Sequence, residues 1–140
     1  MTGLVLDASV VAAWFLRGQT TSSADALLDR ADEFDFVAPF VFPAEVRSLL
    51  LKSERAKRMA AAQSEAALEE LRALSIETET PPDEDEWPAI MAMARSEGLS
   101  VYDSLYLELS LRRELPLASR DAALLKAAER RGLDPMDLRA

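Results

Sequence analysis

The chain contains no cysteine and no histidine. Their absence removes disulfides, thiol nucleophiles, every serine–histidine triad and every zinc site built from cysteine and histidine. It also removes metal-free ribonuclease chemistry that moves protons through a histidine pair. Glycine is scarce: Gly3, Gly18, Gly98 and Gly132 stand isolated from one another. Neither G-x-x-x-x-G-K-[ST] nor G-x-G-x-x-G can be written anywhere, so phosphate-cradling nucleotide loops are excluded. No apolar run approaches the ~18 residues of a membrane span. No basic segment precedes the first apolar stretch, as a secretory signal requires. The expectation is a cytoplasmic chain with no membrane contact. If the chain is an enzyme, carboxylates must carry its chemistry, and oxygen-only sites favour Mg²⁺ or Mn²⁺.

What is present is ordinary globular material. The 140 residues, 49% of them apolar, suffice for a single domain spanning 1–140 with a real core. A net charge of -9 argues against a general nucleic-acid coat protein. The charge is unevenly spread, however. Glu77 to Glu86 carries six acids and no base, whereas Arg47, Lys52, Arg55, Lys57 and Arg58 face only Glu54 within their segment. An acidic total can therefore hide one basic surface. These five bases are candidates for guiding an RNA backbone, beside the plainer reading of a solvated helix face.

The stretch Leu4-Val5-Leu6-Asp7-Ala8-Ser9-Val10 organises the rest. A continuously apolar run reads as a strand buried on both faces, and it ends abruptly on an aspartate. In open α/β sheets, ligands collect where strands end and helices begin. Capping of the following helix by Asp7 or Ser9 is the more ordinary use of such residues. Further on, helices are expected over Val10–Arg17, from a cap at Ser22 or Ser23, after Pro43, and over Ala61–Leu74 with Ala66, Leu68, Leu71 and Leu74 inward. Strands are expected at Phe36–Ala38 and Ser75–Thr78. In the second half, a helix enters through Pro88 and ends at Gly98-Leu99, and Tyr102–Arg113 forms the most apolar helix. Leu117-Ala118 is a short strand, Asp121–Arg131 a last helix, and the tail a weak edge strand because of Asp134-Pro135. Strands separated by helices pair in parallel through right-handed crossovers. The predicted fold is α/β: a three-layer α/β/α domain around a four- or five-stranded, mostly parallel sheet.

Four acids recur at element boundaries: Asp7 after the first strand, Glu45 and Asp103 in first helical turns, and Asp121 at the start of the last helix. First turns favour acids in any protein, so each position has an ordinary explanation. Together they would converge on one mouth of the sheet, where mutual repulsion calls for a divalent cation.

These residues carry a family resemblance. Val5-Leu6-Asp7-Ala8-Ser9-Val10-Val11 resembles the opening of PIN domains, especially VapC-type toxins of VapBC toxin–antitoxin systems. So do Ala38-Pro39 with Ala44-Glu45-Val46, then Val101-Tyr102-Asp103-Ser104-Leu105-Tyr106-Leu107, then Pro116-Leu117-Ala118-Ser119-Arg120-Asp121. The resemblance implies a PIN fold and a Mg²⁺- or Mn²⁺-dependent endoribonuclease toxin specific for single strands. It further implies a homodimer neutralised by a cognate antitoxin. Asp7, Glu45, Asp103 and Asp121 match the catalytic, metal-holding acids, and Ser9 and Ser119 match hydroxyl residues that orient them. Asp7 and Asp103 are expected to hold the ion chiefly. Three positions depart from the pattern: Ser104 for a common alanine, Ser48 for a common asparagine, and Glu108 for a small apolar residue. Glu108 is the one expected to affect antitoxin contact or substrate choice.

Other aspartate enzymes fit less well. A haloacid-dehalogenase-like phosphatase wants a second aspartate where Ser9 stands, and a response-regulator receiver wants an acidic pair that Asp7 lacks. The alternative of another class is a PIN-fold binding module, acting as a regulatory or dimeric partner without nuclease activity.

Overall fold

A computed structural model describes residues 1–140. In chain order the elements are β1 (Thr2–Leu6), α1 (Ala8–Phe15), α2 (Ser22–Asp29), β2 (Phe34–Ala38), α3 (Phe42–Arg55), α4 (Ala61–Ala73) and β3 (Glu77–Thr78). There follow α5 (Trp87–Glu97), α6 (Val101–Arg113), β4 (Leu117–Ser119), α7 (Ala122–Arg130) and β5 (Met136–Asp137). All five strands are parallel, in the order β3-β2-β1-β4-β5.

That order dictates the layers. From β1 the chain steps outward to β2 and then β3, and right-handed crossovers place α1 to α4 on one face. It then jumps back across β1 to β4 and β5, so α5 to α7 cover the other face. Helix contacts follow this division: α1 packs on α2 and α3, and α3 on α4, while α6 packs on α5 and α7. The expected three-layer architecture is therefore present, with the tail strand formed despite Asp134-Pro135. β5 joins the sheet because it needs only two residues beside β4, beyond the proline.

The central strand is buried from Leu4 through Leu6 with no exposure at all. A strand covered by helices on both faces cannot alternate, which is why its sequence is continuously apolar. Tyr106, Leu107 and Leu109 of α6 and Leu117 and Ala118 of β4 complete the centre of the core. Gly98 ends α5 at φ 66°, the left-handed conformation that a side chain disfavours, and the Leu99 amide donates back to the Ala94 carbonyl at 3.0 Å. At the β3 edge, Arg113 pairs with Glu77 at 2.7 Å and Arg112 pairs with Glu79 and Glu108. Glu108 thus serves an ion pair within its own helix.

Several local expectations need correction. The first helix begins at Ala8, not Val10, because Asp7 already occupies the N-cap position. Thr21, not Ser22 or Ser23, caps α2, accepting from the Ala24 amide at 3.2 Å. Its hydroxyl also donates to the Leu138 carbonyl, a long-range contact that no local pattern could reveal. On α4, Leu71 is buried and Leu68 and Leu74 pack against the core as expected, but Ala66 is exposed and Ala67 takes the inward place.

Replacing Leu6 by alanine should cost about 2–5 kcal/mol, because the densely packed centre cannot collapse around the void. Urea denaturation should show a lower midpoint at unchanged slope. A loss below about 1 kcal/mol would show that β1 is not the packing centre.

Candidate active site

The strand order reverses direction at β1 and β4, and the loops leaving these neighbours part to opposite faces of the sheet. Such a switch point leaves a crevice beyond the carboxyl ends of the strands. Asp7 follows β1, and Asp121 follows β4 by two residues. Glu45 enters from the first turn of α3 and Asp103 from the first turn of α6. All four line one cleft of ≈ 930 Å³, with Ser9, Ser48, Lys52, Arg55 and Tyr102 among its other walls.

Asp7 is only 5% exposed. It holds the N-cap position of α1, yet its carboxylate makes no capping bond. The Ser9 and Ser119 hydroxyls instead donate to its Oδ2 at 2.6 and 2.7 Å. Each serine oxygen in turn accepts a backbone amide of the β4–α7 turn: Arg120 to Ser9 at 3.0 Å, Asp121 to Ser119 at 2.9 Å. The two serines therefore tie the ends of β1 and β4 together through one carboxylate. Burial still wins over these bonds and, with the nearby Asp121 charge, raises the Asp7 pKa.

Asp121 does cap its helix, accepting the Leu124 amide at 2.9 Å. For this acid the capping explanation is correct, and it also lines the cleft. Ser100 caps α6 by accepting the Asp103 amide at 3.0 Å, leaving the Asp103 carboxylate uncommitted to the helix end. Desolvation, then the charges of Asp121, Asp7 and Glu45, push the Asp103 pKa up to about 6. Glu45 is raised by desolvation and by Asp7, against a hydrogen bond from Tyr106 that favours its ionised form.

That bond is the part sequence reasoning missed. The fully buried Tyr106 donates its hydroxyl to Glu45 Oε1 at 2.7 Å. Burial and the facing carboxylates raise the phenol pKa, so it stays a donor. A signal existed: Tyr106 lies three residues after Asp103, on the same helix face, and a buried tyrosine hydroxyl needs a partner. Ser104, another departure from the family pattern, is fully buried and satisfied by donating to the Ser100 carbonyl at 2.8 Å.

The basic segment divides. Lys52 and Arg55 line the acidic cleft. Arg47 donates to the Pro43 carbonyl at 3.0 Å and lines a separate depression of ≈ 410 Å³ between α3 and α4. Lys57 and Arg58 lie in the turn after α3 and line neither.

The donor set fits a hard divalent cation in type: four carboxylates, no nitrogen, no sulfur. No three acidic side chains are gathered closely enough to hold one as they stand. Asp7 is hydrogen-bonded to two serines, Glu45 to Tyr106 and Asp121 to its helix amide.

The raised Asp103 pKa has a thermodynamic consequence. The native state keeps this proton to about pH 6, whereas the unfolded chain loses it near 3.8. Stability from this group is thus complete below about pH 4 and is lost as pH rises through about 6. Asp103→Asn should flatten that part of the pH dependence and stabilise the metal-free protein at pH 7 by about 1–2 kcal/mol, after allowance for solvent screening. Urea titrations of both proteins in EDTA between pH 4 and 7 check this. A mutant less stable at pH 7 would refute the repulsion.

The family model of the PIN domain matches residues 4–130. Comparison with curated proteins gives no match. Among solved structures, the chain is similar to PAE2754 from Pyrobaculum aerophilum, with a TM-score of 0.72 at 20% identity, over 99% of this chain and 90% of that one. It is also similar to FitAcB from Neisseria gonorrhoeae, with a TM-score of 0.65 at 19% identity, over 97% and 98% of the two chains. A domain of a functionally unknown protein from Methanocaldococcus jannaschii gives 0.57 at 15% identity, over 100% and 93%. These likenesses establish the fold. The family match runs from the first strand into the last helix, across all four acids, and on it the chain belongs to the PIN-domain family.

Proposed function

We propose that this chain is a Mg²⁺- or Mn²⁺-dependent endoribonuclease toxin of the VapC type, cutting single-stranded RNA. PIN domains are generally nucleases. The observation that carries the reading is the convergence of Asp7, Glu45, Asp103 and Asp121, from four separate chain segments, on one cleft at the sheet's switch point. Homodimerisation and neutralisation by a cognate antitoxin rest on the motif resemblance.

Asp7 and Asp103 are the residues assigned to hold the cation, with Glu45 and Asp121 completing the site. When bound, such an ion supplies Lewis acidity and lowers the pKa of water to make a nucleophile at neutral pH. The chain's own residues supply orientation. Ser9 and Ser119 fix Asp7, and Tyr106 fixes Glu45. Attack by water, with the ribose 2′-hydroxyl uninvolved, leaves 5′-phosphate and 3′-hydroxyl ends. The second reading, a PIN-fold module that only binds partners, draws on one observation: the acids are not gathered into a ready chelate.

Two measurements separate the readings. Asp7→Asn and Asp103→Asn should each lower Mn²⁺-dependent cleavage of single-stranded RNA by roughly 100-fold or more, beyond what loss of a supporting partner of a metal ligand causes. Circular dichroism should confirm both folds. If both mutants keep wild-type rates, the assignment fails.

Melting provides a test independent of substrate. Mn²⁺ should raise the wild-type Tm in proportion to the logarithm of its concentration above saturation, and Asp103→Asn should erase most of that gain. A wild type that neither cleaves RNA nor responds to Mn²⁺ moves the binding module ahead.

A further inference from the structure

The cleft has a second character besides its acids. Tyr102, next to Asp103 in the first turn of α6, is 57% exposed, and no other aromatic residue of the chain stands among its exposed large apolar side chains. Leu51, 43% exposed, lines the same cleft from α3. Single exposed apolar residues are commonplace. The surroundings of Tyr102 are less so. Lys52 and Arg55 line this cleft too, and neither is in an ion pair, although the chain has 25 acids to 16 bases. One cleft thus combines an uncovered aromatic ring, exposed aliphatic surface and two uncommitted cations beside the four carboxylates.

We infer that Tyr102 is a stacking platform for an unpaired nucleobase, with Lys52 and Arg55 on the α3 wall receiving the adjoining phosphates. The inference rests on the RNA reading above and specifies how that substrate is held. A net charge of -9 repels a polyanion, and a divalent cation held by the four carboxylates would neutralise only part of it. Two cations offset this only in part, and salt weakens their contribution further. Stacking of a base on a tyrosine ring is indifferent to net charge and tolerant of sequence. It adds affinity that does not depend on charge. It also selects single strands, because the bases of a duplex are already stacked on one another and have no free face to present.

The test uses equilibrium binding of a fluorescently labelled single-stranded oligoribonucleotide, read by anisotropy in Mg²⁺ at low temperature. The probe's integrity is verified by gel. Tyr102→Ala should weaken binding about 10-fold, Tyr102→Leu by a similar factor, and Tyr102→Trp should restore it. Apolar bulk alone would leave the leucine variant as good as tyrosine. Replacing the tyrosine should shift the binding curve equally at every salt concentration, whereas Lys52→Ala or Arg55→Ala should each reduce the salt slope by about 0.7. Thermal melting should be unchanged in the Tyr102 variants, whose side chain is exposed. If wild type binds the probe and Tyr102→Ala binds equally well, the stacking role is overturned while the RNA reading stands. If wild type does not bind RNA at any salt concentration, both fall.

Discussion

The burial of one carboxylate sets the terms for this structure. Asp7 sits at the end of the most buried strand, where an ionised group without partners is destabilising. The fold answers with two hydroxyls, Ser9 from α1 and Ser119 from β4, both aimed at the same oxygen. Those serines are held in turn by amides of the turn entering α7. One buried charge thereby determines how β1, α1, β4 and α7 meet. The same bonds that make Asp7 tolerable also keep it pointing toward the cleft, so stability and placement have a common cause.

The remaining acids show the opposite balance. Asp103 and Glu45 are partly desolvated near other negative groups, and their protonated forms gain accordingly. The hydrogen-bond partners of the four acids are neutral: the Ser9 and Ser119 hydroxyls, the Tyr106 hydroxyl and the Leu124 amide. No arginine or lysine forms an ion pair with these four acids, although the chain forms such pairs elsewhere. The site keeps its negative potential at the expense of stability, a pattern associated with functional centres rather than scaffolding.

Much of this was legible in the sequence, for reasons that differ by element. β1 announces itself because a strand covered on both faces must be apolar throughout, and α5 ends where Gly98-Leu99 says it should. The four acids could be located because they sit at boundaries between apolar runs, and boundaries are what periodicity resolves best. Contacts between distant segments were beyond reach. The spacing of Tyr106 from Asp103 hints that its hydroxyl needs a partner, but not that Glu45, 61 positions away, supplies it, and the Thr21–Leu138 bond, spanning 117, leaves no local trace. The basic segment shows the same limit. Charge composition revealed a cluster, but only the winding of α3 decides that Lys52 and Arg55 reach the cleft while Arg47 opens onto another face.

The outer strands also constrain how the molecule can meet other proteins. β3 and β5 are two residues long, and β3 is flanked by the arginine–glutamate pairs of α6. An edge this short, ringed by charge, is a poor template for a strand from another chain. Sheet extension across molecules, which a long bare edge would invite, is thereby discouraged. Association with a second copy or a different protein is left to the helical layers, where side-chain fit rather than backbone pairing decides which surfaces join.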